Sequence, residues 1–290
     1  MKWTSGGTSE DIEDRRDESG GGSAGGSGGG GIGGIHLGIG GTIIVAVLSL
    51  VFHENLFSVF NGGGSPAAVS SAPNPERTSA EKPEVEFLSF VLDDVQKTWS
   101  RILPEQTKTA YRRSKLVLFR DAYPSGCGTA QTAVGPFYCP EDQKVYLDLS
   151  FMNELTTRFH APGEFAQAYV IAHELGHHVQ KLLGTEGKMR RLQEENPREK
   201  NTLSVRLELQ ADCYAGIWAH STEQRDIAEN KDIQAAMNAA AAVGDDRLQK
   251  AARGTVNPET FTHGSSADRM KWFRLGEQTG TISNCDTFGR

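Results

Sequence analysis

The spacing of hydrophobic residues separates this chain into regions of different character. Residues 1–34 are charged and then almost purely Gly and Ser, a composition that cannot bury enough apolar area to offset chain entropy. We predict a disordered tail there. Residues 58–83 are rich in Gly, Ser, Pro and Ala and predict a flexible linker. Regular hydrophobic periodicity begins near Glu84, so we expect the globular domain to cover residues 84–290.

An apolar run lies between these two low-complexity segments. Leu37–Phe52 contains no charged residue, and a bilayer-spanning helix needs about 20 apolar residues. We therefore predict one transmembrane helix over residues 35–57. A signal peptide would need a compact basic start close to the run, and a core helix would not stand isolated between two such segments.

The charges that flank this run predict its orientation. Arg15 and Arg16 precede it, and no Lys or Arg follows until Arg77. Because positive charge is retained on the cytoplasmic side, we expect the N-terminus inside the cell. The globular domain would then lie outside the cytoplasmic membrane.

The first part of the domain combines one helix with several short strands. A helix that ends at Pro104 is predicted by apolar residues at three- and four-residue spacing: Phe87, Val91, Val95, Trp99 and Ile102. Short apolar runs predict strands at Lys115–Arg120, Val134–Tyr138 and Lys144–Leu149. The last two flank a turn at residues 139–142 and predict an antiparallel hairpin.

The rest of the domain is predicted to be helical. A helix from Pro162 to a stop at Gly184 is indicated by its apolar periodicity: Phe165, Ala168, Ala172, Leu175, Val179 and Leu182. After a charged, solvated stretch over 186–200 we expect a helix over 202–221, then a helix pair over 223–254 broken near Gly244. A last helix is capped by Ser265 or Ser266. The predicted class is α+β, mostly helical, with a small antiparallel sheet.

Composition excludes some functions and suggests an oxidising compartment. The net charge of -7, with no basic stripe, argues against a nucleic-acid surface. The four cysteines, Cys127, Cys139, Cys213 and Cys285, include no C-x-x-C pair, which argues against a cysteine-only zinc site. We expect disulfides, with Cys127 paired to Cys139 because the two are close in sequence.

The helix over 162–184 contains an H-E-x-x-H pattern. His173 and His177 are four residues apart and so lie on one face, where both can bind one ion. Glu174 lies about 100° around the helix and can reach a water molecule bound to that ion. Small residues beside the ligands, Ala172 and Gly176, would let another element approach closely. The adjacent His178 faces elsewhere and is interpreted as a supporting or surface residue.

A catalytic zinc ion usually has three protein ligands and one water molecule. Glu208 on the following helix is our predicted third ligand, with Asp212, His220 and His263 as its rivals. Asp212 lies one turn after Glu208 on the same face. There it could accept the free ring N–H of a liganding histidine.

This arrangement predicts peptide hydrolysis. Zinc lowers the pKa of its water molecule, and Glu174 accepts the proton as that water attacks a peptide carbonyl, then delivers it to the leaving amine. A further donor should stabilise the oxyanion. His263 and Arg269 are the candidates, with Tyr214 behind them.

The motifs together resemble a bacterial family, the putative neutral zinc metallopeptidases. The resemblance runs along nearly the whole chain and rests on six segments: residues 13–16, 135–140, 145–148, 173–180, 208–216 and 262–266. It implies a zincin-like fold of the gluzincin kind and a membrane-anchored peptidase, an endopeptidase, with one Zn²⁺ ion and peptide or protein substrates. By position, the E-x-x-x-D glutamate is Glu208 and its aspartate is Asp212. An edge strand beside the metal helix, here Val145–Leu149, would pair with the substrate backbone.

A second hypothesis comes from a different class of protein. The chain could be a membrane-anchored interaction module whose zinc site is structural. The base Glu174 beside the ligands favours the enzyme, because a structural site has no use for it. A fourth protein ligand in the water position would favour the module.

Overall fold

The computed structural model describes residues 1–18 and 75–289. Within these ranges, the helices are α1 (Pro75–Ala80), α2 (Lys82–Thr107), α3 (Ser150–Thr157), α4 (Glu164–Leu183), α5 (Thr185–Glu195), α6 (Lys200–Gln224), α7 (Asn230–Ala242), α8 (Asp245–Arg253) and α9 (Ser266–Thr279). The strands are β1 (Ile12–Asp14), β2 (Lys115–Phe119), β3 (Ala122–Ser125), β4 (Gly128–Gln131), β5 (Phe137–Cys139) and β6 (Lys144–Asp148). Most helix boundaries lie close to those predicted, although α2 continues three residues past Pro104.

The main sheet has the strand order β1-β2-β6-β5. The predicted hairpin is present, because β5 and β6 pair antiparallel. The prediction of a small antiparallel sheet is wrong for the main sheet, which is mixed, since β2 runs parallel to both β1 and β6. Between β2 and β6 the chain forms the separate β3-β4 hairpin and then β5. Strand β6 therefore starts beside the first residue of β2. Strand β5 is therefore an outer strand of this sheet.

The N-terminal residues are part of the domain. Strand β1 pairs with β2, and the buried guanidinium of Arg16 forms ion pairs with Asp14 and Glu81, each at 2.7 Å. The prediction of a disordered tail over residues 1–34 is therefore wrong for residues 1–18. Residues 19–34 lie outside the described part of the chain. The domain also begins earlier than Glu84, because α1 lies within the segment predicted as a linker over 58–83.

The prediction of a single-pass membrane protein is also wrong. Among residues 1–18 and 75–289, no helix combines the length and the apolar character needed to cross a bilayer. The span predicted at 35–57 lies outside the described residues. Because β1 pairs with β2, residues 12–14 and the domain must lie on the same side of any membrane. This contradicts the predicted orientation, in which the N-terminus is inside the cell and the domain is outside.

Helices α4, α6 and α9 form the centre of the helical layer. Gly216 and Gly276 allow α6 and α9 to cross closely, because a Cβ at Gly216 would lie 2.0 Å from the carbonyl oxygen of Phe273 and a Cβ at Gly276 1.9 Å from that of Cys213. Gly176 does the same for α4, since its Cβ would lie 3.0 Å from the carbonyl oxygen of Ala211. The close approach predicted beside the two histidines is thus made by α6.

Two disulfides connect distant parts of this frame. Cys127 is bonded to Cys139, as predicted, and joins the β3-β4 turn to β5. Cys213 is bonded to Cys285 and anchors the C-terminal segment to α6. The first bond ends on β5 and the second on α6, and both of these elements pack against α4, which carries the two histidines. The disulfides therefore restrain the elements around those histidines.

Candidate metal centre

The two histidines of the H-E-x-x-H pattern meet a carboxylate from the next long helix. His173 Nε2 lies 3.2 Å from Glu208 Oε2, and His177 Nε2 lies 3.5 Å from Glu208 Oε1. The three ligand atoms all lie within 4.8 Å of one another. The helix spacing gives both rings one face, and the close packing at Gly176 brings α6 within reach.

This set of donor atoms fits a zinc ion. Bond lengths near 2.0–2.1 Å in a tetrahedral site place neighbouring ligand atoms about 3.3 Å apart, and the two observed nitrogen–oxygen separations are 3.2 and 3.5 Å. Burial opposes ionisation of Glu208, but the two imidazoles outweigh it and hold the pKa of Glu208 well below its usual value. A negative carboxylate between two imidazole nitrogens can bind a divalent cation.

Asp212 orients the first of these rings. Asp212 lies one turn after Glu208 on α6, and its Oδ1 is 2.9 Å from His173 Nδ1. A carboxylate only accepts, so Nδ1 carries a proton, and Nε2 is the ring nitrogen that would bind a metal beside Glu208. Burial opposes ionisation of Asp212, but Arg269 and His173 lower its pKa.

Arg269 donates hydrogen bonds to both oxygens of the Asp212 carboxylate. Its Nε donates to Asp212 Oδ2 at 2.8 Å, and its Nη2 donates to Asp212 Oδ1 at 3.0 Å and to the hydroxyl of Tyr169 at 3.1 Å. The side chain is buried. Arg269 therefore supports Asp212 and has no free face for an oxyanion. The other reserve candidate, Tyr214, is a core residue that packs on Trp99.

Gln180, which was not predicted as a site residue, orients the second ring. Its Oε1 lies 2.8 Å from His177 Nδ1, while its Nε2 donates to the carbonyl oxygen of Leu207 at 2.7 Å. The amide orientation that donates to Leu207 leaves Oε1 to accept from Nδ1–H. His177 therefore also presents Nε2 to Glu208. A Gln three residues after a liganding His on the same helix was the available signal.

Glu174 is buried beside the cluster. Burial is the main influence on this carboxyl and raises its pKa, against the opposing effect of His173, His177 and a hydrogen bond with the backbone of Tyr138. Strand β5, which contains Tyr138, thus contacts the helix that carries the metal ligands.

His263 lies on the loop before α9 and is positioned by a residue that the sequence analysis missed. The buried Asp245 accepts the backbone N–H groups of Thr262, His263 and Gly264 on Oδ2, at 2.6, 2.6 and 3.0 Å. Its Oδ1 lies 3.3 Å from His263 Nδ1. Burial opposes protonation of His263, but Asp245 and then Glu208 raise its pKa, so this imidazole lies within electrostatic reach of the metal cluster.

The rival third ligands are occupied elsewhere. His220 Nδ1 faces the carbonyl oxygen of Glu277 at 2.6 Å. Asp212 contacts Nδ1 of His173, whereas Glu208 contacts Nε2 of the same ring. His178 also faces away from the cluster, towards β5. Within residues 1–18 and 75–289, the potential metal cluster consists of His173, His177 and Glu208.

Comparison with known proteins supports this interpretation of the site. The family described as "Putative neutral zinc metallopeptidase" matches residues 1–288. The uncharacterized protein YpfJ of Escherichia coli strain K12 is 43% identical over 296 residues, which cover 100% of this chain and 99% of that protein. The uncharacterized protein Rv2575 of Mycobacterium tuberculosis strain H37Rv is 46% identical over 207 residues, 68% of each chain. The uncharacterized protein Mb2605 of Mycobacterium bovis matches to the same extent. No solved structure matches the chain significantly.

Proposed function

This chain belongs to the putative neutral zinc metallopeptidase family, and on that premise we propose that it hydrolyses peptide bonds with one bound zinc ion. The observation that carries the proposal is the meeting of His173, His177 and Glu208 beside an intact Glu174. Two imidazoles and one carboxylate are a ligand set of zinc peptidases.

The three ligands would hold the ion through His173 Nε2, His177 Nε2 and the Glu208 carboxylate. When bound, zinc would supply Lewis acidity, which lowers the pKa of a water molecule and polarises a carbonyl group. Asp212 and Gln180 keep the two rings in the tautomer that leaves each Nε2 lone pair available. Among the described residues no fourth His, Cys, Asp or Glu joins the cluster, which favours a catalytic over a structural site.

Glu174 is the proposed general base. Its carboxylate would take a proton from the attacking water and pass it to the nitrogen of the leaving amine. Burial of Glu174 excludes bulk solvent from this transfer, and the nearby backbone of Tyr138 favours the ionised carboxyl group by lowering its pKa, although burial raises it more.

His263 is the proposed donor to the oxygen that becomes negative in the transition state. Against the opposing effect of burial, Asp245 and Glu208 raise the pKa of His263 and so favour the imidazolium form, in which Nδ1–H faces Asp245 and Nε2–H is available for that role. Asp245 fixes the loop through three backbone N–H groups, so the donor is positioned before the reaction begins. Such prearranged donors contribute strongly to transition-state stabilisation.

Strand β5 is the proposed binding surface for the substrate backbone. Most of the segment predicted for this role, Val145–Leu149, lies in β6, which runs between β2 and β5 and has both edges paired. Strand β5 pairs only with β6 in the described sheet, and it packs against α4, the helix that carries Glu174. An extended peptide could add to this edge through main-chain hydrogen bonds.

Metal removal from the full chain tests the proposal. We expect one zinc ion per chain, cleavage of unfolded casein, loss of both zinc and cleavage with a chelator, and recovery of cleavage when zinc is added. Cleavage that persists in metal-free protein would contradict the proposal, and so would zinc-loaded protein that cleaves none of a diverse peptide mixture.

A further inference from the structure

His178 follows the second metal ligand but faces a different part of the protein. The side chain is fully buried, and it lies between α4 and two neighbouring segments. Its Nδ1 lies 2.9 Å from the hydroxyl of Tyr138 on β5, and its Nε2 lies 2.6 Å from the carbonyl oxygen of Arg112. One imidazole therefore connects the metal helix to an outer strand and to the loop before β2.

The partners of His178 define its hydrogen bonds. A carbonyl oxygen only accepts, so Nε2 must carry the proton that bonds to Arg112. In the neutral ring Nδ1 is then an acceptor, and the hydroxyl of Tyr138 donates to it. The Tyr111 ring packs nearly perpendicular to the imidazole, with centroids 5.5 Å apart. Both nitrogens are satisfied and the ring has one orientation.

Tyr138 links this buried ring to the reaction centre. Its hydroxyl bonds to His178, which packs β5 against α4, and its backbone lies close enough to the carboxyl group of Glu174 to lower the pKa of that group. The next residue, Cys139, is joined to Cys127 by a disulfide. The side chain of Tyr138 thus holds the middle of a three-residue strand against α4, where the strand backbone is beside the general base.

We propose that His178 and Tyr138 form a positioning pair that fixes strand β5 against the metal helix and so aligns the peptide substrate with Glu174. This inference rests on the proposed function. Neither side chain touches the reacting atoms. The pair acts through the strand, so its loss affects peptide binding while the metal ligands and their supporting residues stay in place.

Three single substitutions separate the two hydrogen bonds. Tyr138→Phe removes the hydroxyl and keeps the ring and the backbone. His178→Gln keeps a nitrogen donor near the position of Nε2 but removes the acceptor for Tyr138, whereas His178→Asn keeps an acceptor near the position of Nδ1 and removes the donor to Arg112. Tyr146→Phe is the matched control, because it removes a buried tyrosine hydroxyl bonded to Asp142 from the adjacent strand β6.

The measurements are kcat and KM for carboxymethylated insulin B chain, together with zinc content. We expect Tyr138→Phe and His178→Gln each to raise KM by about fivefold or more, the effect of one lost buried hydrogen bond. The double variant should add nothing further. Zinc content should match the wild type, and His178→Asn should restore most of the affinity.

A binding measurement in the Glu174→Gln background separates this inference from the proposed function. Fluorescein-labelled insulin B chain should bind about fivefold more weakly when Tyr138→Phe is added, and unchanged when Tyr146→Phe is added. Equal affinities for the two tyrosine variants, or zinc loss in Tyr138→Phe, would overturn the positioning pair. Absence of cleavage by the zinc-loaded wild type would instead overturn the proposed function. Tyr138→Phe keeps the test decisive if a His178 variant fails to fold.

Discussion

The Nδ1 atom of His173 lies 2.9 Å from Oδ1 of Asp212, and this contact determines which ring nitrogen faces Glu208. Asp212 is fully buried, and its second oxygen accepts from Arg269 at 2.8 Å. The buried guanidinium balances the carboxylate charge, so a negative group can remain behind the ligand without an uncompensated charge in the core. The metal ligand, the aspartate and the arginine therefore act as one unit drawn from α4, α6 and α9.

Asp212→Asn should weaken zinc binding. Removal of a carboxylate behind a liganding histidine typically lowers metal affinity by about 10–100-fold, and we expect a loss of at least about tenfold here. Competition with a calibrated zinc chelator measures it. Asp94→Asn is the control, since Asp94 is also a buried carboxylate with arginine and tryptophan partners, Arg225 and Trp218. Equal zinc affinity in the two variants would refute the role given to Asp212.

Glu208→Ala should release zinc far more readily than His220→Ala. Glu208 supplies the only carboxylate of the described cluster, whereas His220 bonds to the carbonyl oxygen of Glu277. Zinc content after dialysis against a weak chelator measures the difference. If the His220 variant loses the metal and the Glu208 variant keeps it, the third ligand has been misassigned.

His263→Ala should reduce kcat and leave zinc content unchanged. Loss of one prearranged transition-state donor costs about 10²–10³-fold in kcat, with a smaller change in KM because the ground-state carbonyl needs the donor less. Steady-state kinetics on a single peptide would measure both constants. A His263 variant with wild-type kcat would assign the oxyanion contact to another group.

Acid should loosen the N-terminal segment through Asp11. Burial raises the pKa of this carboxyl, but hydrogen bonds from Lys115 and Arg113 outweigh burial, and the pKa lies below the ordinary value of 3.8. A depressed folded-state pKa stabilises the fold above the unfolded pKa, and this stabilisation is lost as pH falls through the folded value. We expect the hydrogen-exchange protection factors of the β1 amides to fall in the wild type as the pH drops through the folded-state pKa of Asp11. In Asp11→Asn, exchange should already be faster at pH 7, and equal protection at pH 7 would contradict the prediction.

The site was more predictable than the frame around it. Helical spacing is local, so the side-by-side placement of His173 and His177 and the turn between Glu208 and Asp212 could be derived from the sequence. The link between Asp245 and His263 could not, because it depends on a loop that folds back over eighteen positions to present three N–H groups. Gln180 was not predicted, because it is uncharged and the predicted partner of a histidine ring N–H was a carboxylate.

The errors in the fold came from long-range pairing. Strand β1 consists of Ile12, Glu13 and Asp14, and two carboxylates in three residues give no hydrophobic signal. Its stability comes from β2 and from ion pairs such as Lys144 with Glu13 at 2.8 Å. Hydropathy of residues 35–57 likewise carries no information on the contacts of residues 1–18, and those contacts exclude the predicted orientation.

The role of Glu174 as general base is tested by comparing the zinc-loaded wild type with Glu174→Gln. The measurement is cleavage of unfolded casein at equal, independently determined zinc content. We predict one zinc ion per chain in both proteins, cleavage by the wild type, and loss of cleavage in the variant, because the ligands are intact and only the base is lost. Cleavage by Glu174→Gln at the wild-type rate would contradict the assigned chemistry.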